Sequence, residues 1–217
     1  MEKIKQNNKQ IKLIFLRHGE AHGTWAAAKL TSEGMNQARE ASHYILKFIN
    51  SLENGGPSVA LFYSLTQRAS DTKDIIKRSL ELGNVNILLD SVSKDMSDFG
   101  GLMNRDVVNA ELRAVVKRCI SLNADVAILV THLTTISLLP FSHKIRELYD
   151  TIPYTKPFMV SVNSVDDIGE AKVYEIGENG DLISIDDLVG KKRAEEEEKR
   201  KSRLWNRVMA FIRMLKE

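Results

Sequence analysis

Short apolar runs alternate along this chain with longer stretches of helical period. Ile11–Leu16 is nearly all apolar and reads as a buried strand. Ala38, Ala41, Ile45 and Ile49 then fall on one helical face, in a helix capped by Thr31 or Ser32 and running to about Leu52. Gly55-Gly56-Pro57 breaks it. Val59–Tyr63 predicts a second strand, Arg68–Leu82 a helix stopped at Gly83, and Val85–Leu89 a third strand. Leu102–Leu122 is mostly helical. Asp125 introduces Val126–Val130, apolar throughout and therefore a central strand, and one helix is expected over Thr134–Tyr149. Pro153 to Pro157 is a loop. Phe158–Val162 and Ala171–Ile176 read as strands, Glu178-Asn179-Gly180 as a turn, and Leu182–Ile185 as a short edge strand.

Repeated β-α units imply a mostly parallel sheet with helices on both faces. The pattern divides the chain into a polar, frayed 1–10, an α/β unit over 11–189, and a distinct 190–217. That last segment opens with a charge block, Lys191 to Arg203. It ends in an amphipathic stretch with Leu204, Val208, Phe211, Ile212 and Leu215 on one helical face, widened by Trp205 and Met209.

Composition changes this picture little. The net charge of +2 says little about partners, but its distribution is uneven. From Gly190 onward there are ten Lys/Arg and five Glu, a net of +5, which leaves −3 for the rest. The single cysteine, Cys119, excludes an internal disulfide and a cysteine-based metal cluster, and its helical neighbours Val115 and Val116 make it a buried hydrophobe. No apolar stretch approaches the ~20 residues a membrane span needs. The apolar run behind the N-terminal lysines is too short for a signal peptide, so a cytoplasmic location is expected.

Candidate chemistry lies at three strand ends. Arg17-His18-Gly19-Glu20 follows strand one, Ser64 and Arg68 follow strand two, and Thr131-His132 follows the central strand. In open α/β sheets, ligands bind at the carboxyl edge of the strands. Two Arg and two His brought together there form a site for a doubly charged oxyanion, most simply a phosphoryl group. The helix start near Arg68 adds amide donors. The Ser64 hydroxyl is read as a cap for the following turn rather than as a nucleophile. His43 and His143 have no such context and read as helix-surface or partly buried residues.

The same residues resemble a family. Leu16-Arg17-His18-Gly19-Glu20, Leu30-Thr31 with Gly34 and Gln37-Ala38, Ser64-Leu65 with Arg68-Ala69 and Thr72, and Val130-Thr131-His132 are similar to the successive motifs of the histidine phosphatase superfamily, which includes the phosphoglycerate mutases. The resemblance covers about residues 11 to 185. It implies a three-layer α/β/α sandwich and a phosphohistidine intermediate. His18 would be the nucleophile. Arg17 and Arg68 would grip the phosphoryl oxygens, and His132 would donate to them and stabilise charge in the transition state. Glu20 would shape the pocket rim. Thr24 stands where many members carry a phosphate-contacting Asn. Physical reasoning agrees, because attack on phosphorus needs a neutral imidazole, and cations at Arg17 and Arg68 disfavour imidazolium at His18. No metal or other cofactor is required, since the guanidinium groups supply the positive charge.

The chain departs from the family at the acid. Many members carry Glu-x-Asp-Phe-Gly; here the segment is Met96-Ser97-Asp98-Phe99-Gly100. Methionine cannot protonate a departing alkoxide. Asp98, Asp95 and His22 are the candidate surrogates. A phosphohistidine or acyl phosphate leaves as a weaker base and needs less help. The compact SixA-type phosphohistidine phosphatases also lack the acid and share a short stretch before Leu-Thr; here ten residues separate Glu20 from Thr31. The reading is therefore a metal-independent phosphatase acting through phospho-His18 on phosphohistidine or phosphoprotein substrates. Its alternatives are a small-molecule phosphomonoesterase using Asp98 or Asp95 as acid, a mutase, and a non-catalytic phosphate-binding or scaffold module. The partner is a phosphorylated substrate and not nucleic acid. Residues 190–217 are read first as packing on the domain or pairing with another chain, and second as lying on an anionic membrane.

Overall fold

The computed structural model describes residues 10–52, 56–93, 104–164, 167–168 and 171–214, with the backbone alone over 207–214. The sheet has seven strands: β1 (Ile11–Arg17), β2 (Ser58–Ser64), β3 (Asn86–Ser93), β4 (Val126–Thr131), β5 (Phe158–Val162), β6 (Val173–Ile176) and β7 (Leu182–Ser184). Their order is β3-β2-β4-β1-β5-β6-β7. The first four in that order run parallel, and β5, β6 and β7 continue antiparallel. The six helices are α1 (Ser32–Ser51), α2 (Gln67–Leu82), α3 (Arg105–Leu122), α4 (Leu133–Leu138), α5 (Ser142–Leu148) and α6 (Ile185–Met214).

Central strands are apolar on both sides because both faces are covered. Along β1, Leu13 and Phe15 join one core with Ala127 and Leu129 of β4, under α3, α4 and α5. Ile14 and Leu16 join the other core with Ile128 and Val130, under α1 and α2. Period-two alternation thus divides the strand between two cores. Each such fully buried Leu, Ile or Phe stabilises the fold by about 1.5–3 kcal/mol relative to its exposed state.

Caps fall largely where side-chain chemistry places them. Thr31 accepts from the Gly34 amide at the start of α1, and Asn104 accepts from the Val107 amide at the start of α3. The expected single helix over 134–149 is instead α4 and α5. Pro140 has no amide hydrogen and drives Leu139 into an extended conformation (φ −58°, ψ 147°), which ends α4. The third strand runs four residues past its expected end at Leu89. As the outermost strand it alternates exposed and covered positions, and Asp90 is held by Lys77 at 2.8 Å and by the buried Lys73 at 3.3 Å. At the end of α2 the left-handed residue is Asn84 (φ 57°), whereas Gly83 has φ −83°. Cys119 is buried, and burial pushes its thiol up to about 12. His43 and His143 are exposed on helices. Among the described residues, no helix is long and apolar enough to cross a membrane.

Candidate active site

Three parallel strands end side by side. Arg17 of β1 pairs in register with Thr131 of β4, and the His18 amide donates to the Thr131 carbonyl at 2.9 Å. On the far side of β4, β2 ends at Ser64. The sheet therefore delivers Arg17-His18, Thr131-His132 and Ser64 to one edge, and the first turn of α2 adds Arg68. The loop after β1 lies directly on the first turn of α1. A Cβ at Gly19 would sit 2.4 Å from the Gly34 carbonyl oxygen, and one at Gly34 would sit 2.0 Å from the Glu20 carbonyl oxygen. Only glycine permits that approach at either position. The Gly19 amide is further anchored by the Thr72 hydroxyl at 3.0 Å.

His18 is 7% exposed. Its Nδ1 lies 2.7 Å from the Gly19 carbonyl oxygen. A carbonyl can only accept, so Nδ1 carries the proton and the lone pair is on Nε2. Arg68 Nε, which can only donate, meets that Nε2 at 2.9 Å. Burial above all, opposed by the Gly19 carbonyl and reinforced by His132, Arg68 and Arg17, pushes the imidazole down from its ordinary 6.5 to about 3. The ring is thus neutral, with its unprotonated nitrogen facing a guanidinium.

Arg68 is itself buried and rigidly held. Its Nη1 donates to the carbonyls of Thr24 (3.2 Å) and Trp25 (2.8 Å), while Nη2 reaches His132 Nδ1 at 3.4 Å. Arg17 is fixed from the other side. Its Nη1 donates to the Ile152 carbonyl at 3.1 Å, and its guanidinium lies 3.7 Å above the Tyr154 ring centroid. Arg17 Nε is buried with no hydrogen-bond partner among the described residues, and burial lowers the pKa of the side chain. A buried donor of this kind is costly unless an acceptor reaches it, and an oxyanion is a suitable one.

His132 occupies the position just before α4, without a capping hydrogen bond from its side chain, and is 1% exposed. Its ring meets the His18 ring edge-on, with centroids 5.0 Å apart. Ser64 Oγ lies 2.6 Å from His132 Nε2, and Thr66 Oγ1 lies 3.4 Å from it. This overturns the expectation for Ser64. The residue that caps α2 is Thr66, which accepts from the Ala69 amide, and the Ser64 hydroxyl is spent on the histidine.

Arg17, His18, Arg68 and His132 are therefore brought together. Glu20 stands beside them and is tied inward: its carboxylate accepts from the Thr31 hydroxyl at 3.2 Å and its amide donates to Gln37 at 3.0 Å. Thr24 enters through its backbone carbonyl on Arg68. His22 is exposed. Asp95, Met96 and Asp98 lie outside the described residues. Sequence reasoning gave one participant the wrong role and missed another. Ser64 was visible as the polar residue ending a strand beside the site. Tyr154 had no signal, since it reaches Arg17 from a loop more than a hundred residues away.

This arrangement of strands and helices is an α/β fold that other proteins share. Among solved structures, the mycobacterial glucosyl-3-phosphoglycerate phosphatase matches with a TM-score of 0.50 at 15% identity, over 74% of this chain and 95% of that one. The protein histidine phosphatase SixA complexed with tungstate gives 0.49 at 18% identity, over 82% and 99%. Phosphoglycerate mutase from Bacillus anthracis str. Sterne gives 0.48 at 10% identity, over 76% and 98%. No family model and no curated protein matches the sequence.

Proposed function

We propose that this protein is a phosphatase that works without a metal ion through a phosphohistidine on His18, and that its substrates are phosphohistidine or other phosphoprotein side chains. The observation that carries the reading is a neutral His18 imidazole whose Nε2 lone pair lies 2.9 Å from Arg68. In the first step Nε2 attacks phosphorus, and the bond from phosphorus to the leaving group breaks with its electron pair. In the second, water attacks phospho-His18, the P–N bond breaks back to Nε2, and inorganic phosphate leaves. Arg68, Arg17 and His132 donate to the phosphoryl oxygens, where charge develops.

The substrate class follows from the leaving group. Methionine at position 96 cannot serve as an acid, which favours substrates whose leaving group is weakly basic. The ten-residue span between Glu20 and Thr31 leaves little chain to enclose a small ligand, which favours a side chain presented by another protein. For residues 190–217 we infer pairing with another chain, supported by Leu204 and Trp205 on α6, which are 63% and 64% exposed.

An aryl phosphate, whose leaving group needs no acid, tests the chemistry. The wild type should release phosphate and form an acid-labile phosphoryl adduct at His18 by mass spectrometry. His18→Ala should do neither, and full activity in that variant would refute the nucleophile.

A further inference from the structure

We propose that Ser64 is a positioning residue for this reaction: its hydroxyl holds the Nε2 edge of His132 through both tautomers of the ring, so that Nδ1 stays turned toward Arg68 and an arriving phosphoryl group. For its catalytic meaning the inference rests on the phosphatase reading; for its geometry it does not.

Ser64 is fully buried at the end of β2, and its Oγ is 2.6 Å from His132 Nε2. Thr66 is a longer second partner at 3.4 Å, and its hydroxyl also caps α2. On the opposite edge of the ring, Arg68 Nη2 is 3.4 Å from Nδ1. A guanidinium only donates, so Nδ1 accepts there, the ring proton sits on Nε2, and Ser64 Oγ receives it. Phosphoryl oxygens only accept. A phosphoryl group held by Arg68 would face the Nδ1 lone pair and be repelled. The ring must therefore carry its proton on Nδ1 when the group binds. Nε2 gives one proton to water and Nδ1 takes one from water, so the number of protons on the ring is unchanged. Nε2 then needs a donor, and the Ser64 hydroxyl rotates from accepting to donating.

The choice of a hydroxyl follows from this. A carbonyl at that position would lock the proton on Nε2 and leave Nδ1 an acceptor. A methyl group would release the ring edge. A serine hydroxyl satisfies either tautomer without moving its oxygen.

Nitrogen-15 NMR of the His132 ring, with and without inorganic phosphate, tests the proposal in the full chain. Wild type and Ser64→Thr should show the Nε2–H tautomer alone and convert to Nδ1–H on phosphate binding. Ser64→Ala, a near-isosteric change, should show mixed tautomers without phosphate, and its kcat/KM for an aryl phosphate should fall roughly 100-fold, as a misplaced catalytic group requires. A wild-type spectrum in Ser64→Ala, or no tautomer change on phosphate binding in the wild type, would overturn the assignment. Absence of aryl phosphate hydrolysis in the wild type would defeat the phosphatase reading, while the spectra would still decide the role of Ser64.

Discussion

His18 is held neutral at a cost to the native state that depends on pH. Its imidazole is pushed down to about 3 in the fold, against 6.5 for an exposed ring. Between those values the unfolded chain binds the proton and the native chain does not. Stability therefore falls as pH drops from 6.5 toward 3, and above 6.5 the effect vanishes. Linkage with these two values gives a loss of about 2 kcal/mol between pH 7 and pH 5 from this group alone. Urea unfolding at both values checks it: His18→Gln should lose about 2 kcal/mol less than the wild type over that interval. Arg68 makes a second residue-level case. It meets His18, His132 and two carbonyls at once, in the planar fork that only Arg offers. Arg68→Lys should lower kcat/KM for an aryl phosphate about 100- to 1,000-fold, the cost of one missing charge-stabilising donor. At this scale Arg17, His18, Arg68 and His132 were legible because each is a charged or imidazole residue placed just beyond an apolar run. Ser64 was misread because a hydroxyl behind a strand suits a turn equally well.

Elements bring those residues to one edge, and the tightest junction is between the loop after β1 and α1. Gly34→Ala would place a methyl group 2.0 Å from the Glu20 carbonyl oxygen, a backbone atom that cannot swing away. The loop must lift, and His18 moves with it. We expect a loss of about 1–3 kcal/mol in thermal or urea unfolding, typical of overpacking, together with a fall in activity larger than that loss of folded protein explains. Helix and strand positions were readable from period alone, as Ala38, Ala41, Ile45 and Ile49 illustrate: all four are buried on α1. The break at Leu139-Pro140 was also present in the sequence, since Pro140 excludes a continuous helix; helical period on both sides of it concealed the stop.

Across the whole molecule, α6 begins against the domain and then becomes exposed. Lys192 donates to the Leu148 carbonyl at 3.0 Å, and Arg193 pairs with Glu147 at 2.6 Å. Residues 194–206 are exposed on every described side chain. A chain ending at residue 198 should keep the melting temperature and aryl phosphatase activity of the full chain, and should have a smaller number of subunits by light scattering. An unchanged subunit number would count against pairing through this segment.

The existence and type of most elements, the two-faced burial of β1 and β4, and the four charged or imidazole residues at strand ends were written in local order along the chain. Period and residue chemistry are local properties, and neighbours along the chain suffice to set them. What surrounds those residues was not. Tyr154 beneath Arg17, the Thr24 and Trp25 carbonyls on Arg68, and Ser64 against His132 depend on how β1, β2 and β4 align and on how two loops settle over their ends. Strand register and loop packing are decided by the balance of contacts across the whole core, so these partnerships exist only once the chain has folded.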